Sequence, residues 1–369
     1  MDAKCCGTVT QTERHRGSGA MQSGTEGKNL GDLTGLSRLD HCHGDRERRA
    51  ILGASAMPSL QACLSRDAAV GSQSDARLTS AQEAETALDL VRMRPLVERT
   101  RGSPAVRIGL IDGPVDRDHP KFAAGDIRDV SSDSARGCSH ASSDACRHGT
   151  LVAGVLHAAR GSRAPAICPG CTLLTRAIFL ETHSVNGSAP TASVEEVSTA
   201  IVETVDAGAI VLNLSIALAE PSSSAERRMH EALDYAARRS VLVVAAAGNQ
   251  GTLGSTAITR HPWVIAVVAC DTKGRPMRES NLSHSAGKRG LAAPGEGITS
   301  LAPDAKMQSF SGTSAAVPFV TGAIALLWSL FPTATANRLR FAITRAGAPR
   351  RTTLVPPLLD GLGAYRSMS

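Results

Sequence analysis

From Val106 onward, short apolar runs alternate with helical patterns, and this alternation limits the folds open to the chain. The runs are apolar at consecutive positions, which is typical of strands buried on both faces. Such strands, separated by helices, predict an α/β fold with a parallel sheet covered on both sides. Strands are predicted at Val106–Ile111, Leu173–Phe179, Ala209–Ile216, Val241–Ala246 and Val264–Ala269, and helices at Gly149–Ala159, Ser193–Gly208 and Ser223–Arg239.

Residues typical of functional sites stand at the ends of two of these strands. Asp112 comes after the first strand, and Gly248 and Asn249 come shortly after Ala246. Because ligand sites in such folds lie at the carboxyl ends of the strands, we expect these residues at one edge of the sheet. For Asn249, a turn residue beside glycine is the structural alternative.

A serine begins the most apolar helix of the chain. The segment from Phe310 to Pro318 reads Phe-Ser-Gly-Thr-Ser-Ala-Ala-Val-Pro, and an almost uncharged run continues to Leu330. A hydroxyl in the first turn of a helix lies beside unpaired N–H groups and the positive end of the helix dipole, which suits a nucleophile whose attack creates an oxyanion. The alternatives are a core helix with an ordinary capping serine and a membrane span. The run is shorter than the roughly 20 residues that a bilayer needs.

A serine nucleophile needs a base within hydrogen-bond reach and a carboxylate that orients the base. His148 and Asp112 supply these groups upstream of Ser314, in the order Asp, His, Ser. Asp116 and Asp118 compete with Asp112 but are interpreted as a solvated turn, because only Asp112 directly follows a strand. His119 is predicted to be structural and His157 to lie on a helix surface.

Four segments together resemble the subtilisin-like serine peptidases, which share this order of catalytic residues. They are Ile108–Pro120, Arg147–Gly154, Ala245–Gln250 and Ser311–Pro318, and the resemblance covers residues 106 to 345. It implies a three-layer sandwich with a central, mainly parallel sheet. It also implies that Asp112 orients His148, that His148 is the general base, and that Ser314 is the nucleophile.

The resemblance implies further roles around the nucleophile. Asn249 corresponds to the side-chain donor of the oxyanion hole, with the backbone N–H of Ser314 as its partner. Substrate is expected to bind along Asn213, Leu214, Ser215 and Gly248. For Asn213, a buried strand asparagine is the alternative.

Several residues depart from the common pattern of that family and bear on specificity. Ala217 and Leu218 stand where glycine is frequent, Ala315 where methionine is frequent, and Leu151 where a second histidine is frequent. The aspartate motif reads Asp-Gly-Pro-Val-Asp, and Cys168-Pro-Gly-Cys precedes a strand. These last two features resemble the peptidases that process ribosomal peptide precursors in cyanobactin-type clusters.

The nine cysteines are interpreted as free thiols by default. Cys138 and Cys146 precede His148, and their spacing permits either a disulfide or two free thiols. Cys168 and Cys171 lie on a Pro-Gly turn, which disfavours a thioredoxin-like role. No four-ligand metal pattern is present, so no metal site is predicted, and calcium enters only through the family resemblance.

Composition sets the domain organisation and the expected partners. Residues 1–80 are predicted to be a poorly ordered extension, 81–104 a helical lead-in, 105–348 the catalytic domain and 349–369 a C-terminal tail. The net charge is +6, but no dense basic block with interleaved aromatics is present, so nucleic acid is not expected as a partner. A membrane is not expected either, because the apolar run after Ser314 is too short to span one. No apolar segment follows Met1, so a cytoplasmic protein is expected, with export as the alternative if the start is wrongly assigned. The sequence indicates no oligomeric state.

The function predicted from these observations is a serine endopeptidase that cleaves a peptide or protein substrate through an acyl-enzyme. The alternative is a catalytically weak relative that only binds peptides. A nucleotide-binding fold is disfavoured because Asp112-Gly-Pro-Val lacks the glycine spacing of a phosphate loop.

Overall fold

The computed structural model describes residues 80–122, 125–130, 137–179, 181, 192–216, 223–346 and 353–369. Its helices are α1 (Ser80–Leu90), α2 (Arg94–Arg99), α3 (Asp144–His157), α4 (Val194–Asp206), α5 (Ser223–Arg238), α6 (Ala257–Arg260), α7 (His284–Arg289), α8 (Thr313–Leu330), α9 (Ala336–Arg345) and α10 (Gly361–Arg366). Its strands are β1 (Arg107–Asp112), β2 (Ile127–Asp129), β3 (Thr172–Ala177), β4 (Val211–Leu214), β5 (Leu242–Ala246), β6 (Val264–Cys270), β7 (Leu291–Pro294), β8 (Ile298–Ala302) and β9 (Lys306–Phe310). Residues 1–79 of the predicted extension, and Ala217 and Leu218, lie outside the described residues.

Seven strands form one parallel sheet in the order β2-β3-β1-β4-β5-β6-β7. From β1 the chain passes to β2 and β3, which lie on one side of β1 in the sheet. It then crosses to β4, on the other side of β1. The strand order therefore reverses between β1 and β4. A crevice opens at the carboxyl ends of the strands at such a reversal, and Asp112 is the last residue of β1.

The sheet is buried on both faces, as its uninterrupted apolar runs predict. In β5, Val244 and Ala246 join the hydrophobic cluster that contains α3 and α8, whereas Val243 and Ala245 join the cluster that contains α4 and α5. Because successive side chains of a strand point to opposite faces, this division places one helical layer on each side. The predicted three-layer α/β architecture is confirmed.

Helix α8 lies in the core and contacts strands β4 to β7. Of the described helices, it is the one with the length and apolar composition to cross a membrane, yet 83% of it is buried inside the protein. Its apolar character is therefore explained by its position in the core. Pro318 lies within it and removes one backbone donor.

Two features of the fold differ from the sequence expectation. Helix α3 begins at Asp144, where the Ser143 side chain caps it, so His148 lies in its second turn. An antiparallel hairpin, β8–β9, was not predicted from the sequence. Asp304 and Ala305 both have positive φ at its turn, so the Asn-Gly or Asp-Gly pair that usually marks such a turn is missing.

The C-terminal segment packs against the domain. The backbone around Leu359 pairs with Ala292 of β7, and α10 contacts α2 and α9. Arg92 and Asp360 form an ion pair of 2.8 Å between the lead-in and this segment. Residues 353–369 of the stretch predicted as a tail therefore pack against the domain.

Candidate active site

Asp112 and His148 meet at the carboxyl end of β1. Nδ1 of His148 lies 2.6 Å from Oδ1 of Asp112, and both side chains are buried. Because a carboxylate only accepts, Nδ1 carries the proton of this bond. In the neutral ring, Nε2 then carries a lone pair, and it has no hydrogen-bond partner among the described residues. The ring is therefore oriented as a base with its accepting nitrogen free.

Two glycines allow β1 and α3 to approach closely enough for this contact. A Cβ on Gly113 would collide with the carbonyl oxygen of Ala145, and a Cβ on Gly149 would collide with the carbonyl oxygens of Gly113 and Pro114. The Asp-Gly and His-Gly pairs in the sequence are thus the local reason that Asp112 and His148 can touch.

Ser314 lies in the first turn of α8, close to the end of β4. Its Oγ donates to the carbonyl oxygen of Ser215 at 3.2 Å, and no hydrogen bond joins it to Nε2 of His148 in the described structure. Ser314 and His148 are each only 1% exposed. Within such a buried site, electrostatic interactions are stronger than in water.

Asn249 uses one end of its amide and leaves the other free. Its Oδ1 accepts from the N–H and from the hydroxyl of Thr313, both at 2.9 Å, which fixes which end is oxygen. Its Nδ2 is buried and has no partner among the described residues. A Cβ on Gly312, whose φ is 117°, would collide with Nδ2. A buried N–H without a partner costs free energy. Such a donor is expected in an oxyanion hole, where it binds the negative charge that develops on the substrate oxygen.

The residues predicted to bind substrate lie at the ends of β4 and β5. The Asn213 side chain is fully buried and bonded to Ser215 and Thr321, which corresponds to the alternative of a buried strand asparagine. Leu214 belongs to the core cluster under α4 and α5. Gly248 has φ of 103° and donates its N–H to Thr313, so it forms a turn that positions the loop. Their contact with substrate stays a prediction.

A family model described as the subtilase family matches residues 103–361. The chain belongs to the subtilase family. The predicted resemblance is therefore confirmed over most of the chain.

Curated subtilases similar to this chain include a thermophilic serine proteinase of Bacillus sp. (strain AK1), 33% identical over 62% of this chain and 54% of its own length. Mycosin-4 of Mycobacterium tuberculosis is 30% identical over 69% of this chain and 62% of its own. Subtilisin DY of Bacillus licheniformis is 30% identical over 64% of this chain and 81% of its own. The match thus spans little more than half of the first two relatives.

Solved structures similar to this subtilase include the prenylagaramide maturation protease PagA. It has a TM-score of 0.65 and 28% identity, and the match covers 75% of this chain and 98% of that one. A mutant of the protease domain of PatA has a TM-score of 0.63 and 28% identity over 72% of this chain and 95% of that one. The resemblance to peptide maturation proteases is borne out at the level of structure.

The other aspartates and histidines considered for the site of this subtilase are not part of the Asp112–His148 pair. Asp116 is half-buried and Asp118 is exposed, and neither bonds to His148. His119 is buried and links Lys306 and Lys121 through its two nitrogens, which agrees with a structural role. The surface position predicted for His157 is wrong.

His157 is fully buried, and both its ring nitrogens lack partners among the described residues. Burial lowers its pKa to about 4, although the nearby Asp126 acts in the opposite direction. The helical period of α3 did not show this burial, because the residues that cover the ring, around Gly125 and Pro169, come from distant loops.

Of the two states that their spacing permits, Cys138 and Cys146 adopt the disulfide, with Cα atoms 5.4 Å apart, so the default of free thiols does not hold for this pair. The bond ties the segment before α3 to its first turn. Cys168, Cys171 and Cys270 are free and buried.

A calcium site finds no support in the side chains that the structure describes. Among the described residues, the one group of three or more His, Cys, Asp or Glu side chains close enough to share an ion is Cys138, Cys146 and Glu181. Calcium takes six to eight oxygen ligands, whereas two members of this group are disulfide sulfurs. The group does not fit calcium.

Sequence reasoning did not single out Thr313, which holds the Asn249 amide, or Thr321, which bonds to Asn213. A signal was present for a donor to the Ser314 carbonyl, which Ser215 supplies. Pro318 follows Ser314 by four residues, so this carbonyl lacks its usual i+4 donor in the helix.

Proposed function

We propose that this subtilase is a serine endopeptidase in which Asp112, His148 and Ser314 form the catalytic triad. The observation that carries the proposal is the buried 2.6 Å bond between Asp112 and His148, which leaves the accepting nitrogen of the ring free. Nδ2 of Asn249, which has no partner in the part of the chain that the structure describes, adds a donor on the side where α8 begins.

The chemistry follows from these positions. Rotation about χ1 moves the Ser314 hydroxyl from the Ser215 carbonyl to Nε2 of His148, which removes its proton as Oγ attacks the substrate carbonyl. The oxyanion accepts from Asn249 Nδ2 and from the Ser314 N–H, which no i−4 carbonyl engages in the first helical turn. His148 then protonates the leaving amine, and water hydrolyses the acyl-enzyme by the reverse proton transfers. Asp112 keeps the ring in the required tautomer.

The substrate is proposed to be a ribosomally made precursor peptide. The similarity to the prenylagaramide maturation protease PagA and to PatA, a patellamide maturation protease, supports this substrate class, because the match covers nearly the whole length of those chains. The disulfide between Cys138 and Cys146 favours export over the cytoplasm, since disulfides persist in oxidising compartments.

A second candidate is a peptide-binding protein with weak catalysis. It is favoured by the Ser314 hydroxyl, which donates to Ser215 and not to His148, and by the burial of both side chains. Against it stands the cost of keeping the Asn249 amide buried without a partner, which binding alone does not require.

Digestion of a random peptide library, read by mass spectrometry, separates the two. The peptidase predicts discrete cuts by the wild-type protein and none by Ser314→Ala. Peptides retained without new termini favour the binding protein, and cuts that persist in Ser314→Ala overturn the assignment of the nucleophile.

A further inference from the structure

A continuous chain of buried polar groups links the middle of α8 to its catalytic end. The Thr321 hydroxyl donates to Oδ1 of Asn213 at 2.9 Å, and Nδ2 of Asn213 donates to the Ser215 hydroxyl at 2.9 Å. The Ser215 hydroxyl donates in turn to the backbone oxygen of Ser314 at 3.4 Å. Thr321, Asn213 and Ser215 are all fully buried.

The last link of this chain meets a requirement that the helix creates. In an α-helix, the carbonyl of Ser314 would accept from the N–H of residue 318, but that residue is proline and has no N–H. The carbonyl therefore lacks its usual helical donor and takes one from outside α8. Ser215, at the end of β4, provides it, so the first turn of α8 is held by β4 at this point.

Two hydrogen bonds join Ser215 and Ser314, and each residue donates one of them. The Ser215 hydroxyl donates to the Ser314 carbonyl, and the Ser314 hydroxyl donates to the Ser215 carbonyl. A shift of the Ser215 hydroxyl thus moves the backbone of the nucleophile, and the side chain with it. The position of Ser215 is itself set by Asn213, whose acceptor is occupied by Thr321.

The behaviour of the Thr321 hydroxyl is unusual for a helical threonine. A buried helical threonine commonly donates to the carbonyl one turn earlier. Thr204 in α4 does so, with its hydroxyl 2.6 Å from the Ala200 oxygen. The hydroxyl of Thr321 instead leaves its own helix and donates to a strand. Thr204 is therefore a matched control, buried to the same extent but bonded only within its helix.

We propose that Thr321 and Asn213 are positioning residues for the nucleophile and act on Ser314 through Ser215. This inference rests on the proposed function of Ser314. It replaces a substrate-binding role for the Asn213 side chain with a role in fixing where the first turn of α8 lies relative to β4. An error of 1 Å in such a position costs on the order of 100-fold in rate.

The test compares Thr321→Val, which keeps the shape and removes the hydroxyl, with Thr321→Ser, which restores it, and with the control Thr204→Val. Each protein is treated with a fluorophosphonate probe at a temperature where circular dichroism shows it fully folded. The measured quantities are the limiting labelling rate constant and the probe concentration at half-saturation.

We expect Thr321→Val to lower the limiting rate constant by about tenfold or more, with half-saturation changed by less than about twofold. Thr321→Ser and Thr204→Val should stay within about threefold of wild type, even where Thr204→Val lowers the melting temperature. A purely structural role would instead make the two valine variants alike. Equal rates for Thr321→Val and Thr204→Val overturn the inference.

Ser215→Ala supplies a second route to the same answer. It breaks the chain at its last link, so the double variant with Thr321→Val should be no slower than the slower single variant. If the rate losses of the two single variants multiply in the double variant, the two residues act independently and the continuous chain is contradicted. If Thr321→Val does not fold, Ser215→Ala decides, because a labelling rate within about twofold of wild type overturns the inference and a loss of about tenfold supports it.

Failure of this inference is distinguishable from failure of the proposed function. Wild-type protein that resists the probe, or Ser314→Ala that accepts it, overturns both. Wild type labelled at Ser314, together with an unimpaired Thr321→Val, overturns the positioning role alone.

Discussion

Asp112 and His148 are 36 residues apart in the chain, yet Oδ1 of the first and Nδ1 of the second lie 2.6 Å from each other in the core. Oδ1 of Asp112 also accepts from the N–H of Gly113 at 2.6 Å, so the carboxylate is held by the turn that ends β1. The proton position on His148 thus follows from the backbone of β1.

Replacement of Asp112 by asparagine should remove this control while keeping the shape. The amide can present its N–H to Nδ1, which favours the tautomer with the proton on Nε2, where the base must accept. We expect kcat to fall about 10⁴-fold, the scale of this change in serine proteases, with KM changed little. Steady-state kinetics on a peptide cut by the wild type measure both. A kcat within about tenfold of wild type would contradict the role given to Asp112.

Asn249→Ala should lower kcat and leave KM nearly unchanged, because Nδ2 has no partner among the described residues and gains one when charge develops on the substrate oxygen. The expected loss is about 10²- to 10³-fold, a magnitude taken from the corresponding asparagine of subtilisin. An equal effect on kcat and on the affinity for an uncleaved peptide would show that Asn249 binds the ground state instead.

Reduction of the disulfide should destabilise the domain. Cys138 and Cys146 are separated by 8 residues, and closing a loop of this size is worth about 2–3 kcal/mol in the chain-entropy model. Thermal unfolding with and without dithiothreitol measures the effect, and the Cys138→Ser, Cys146→Ser double variant is the control that should no longer respond. A wild-type melting temperature that is insensitive to reductant rules out a structural disulfide here.

His157 should make stability depend on pH. Its pKa lies at about 4 in the folded protein because of burial, against an ordinary value of 6.5, so between these values only the unfolded chain binds the proton. The free energy of unfolding therefore falls as pH decreases from 6.5 to 4, by about 3 kcal/mol in total. Urea unfolding at several pH values tests this, and His157→Gln should show a shallower dependence over that range. Parallel curves for the two proteins would contradict the assignment.

The sequence was sufficient to predict the sheet and the edge on which Asp112 and Asn249 lie, because buried parallel strands leave a continuous apolar signal and their carboxyl ends share an edge. It was not sufficient for His157 or for Cys138 and Cys146. Their environments depend on which distant loops cover them, and local periodicity carries no information about such contacts. The role of Asn213 was hidden for the same reason, since its partner Thr321 is 108 residues away.

Fluorophosphonate labelling, followed by peptide mapping of the adduct, tests the central claim most directly. The account predicts one stoichiometric phosphonyl group on the Ser314 hydroxyl, and its loss in Ser314→Ala and strong reduction in His148→Ala. An adduct on another residue, or an unmodified Ser314 in folded protein, would contradict it.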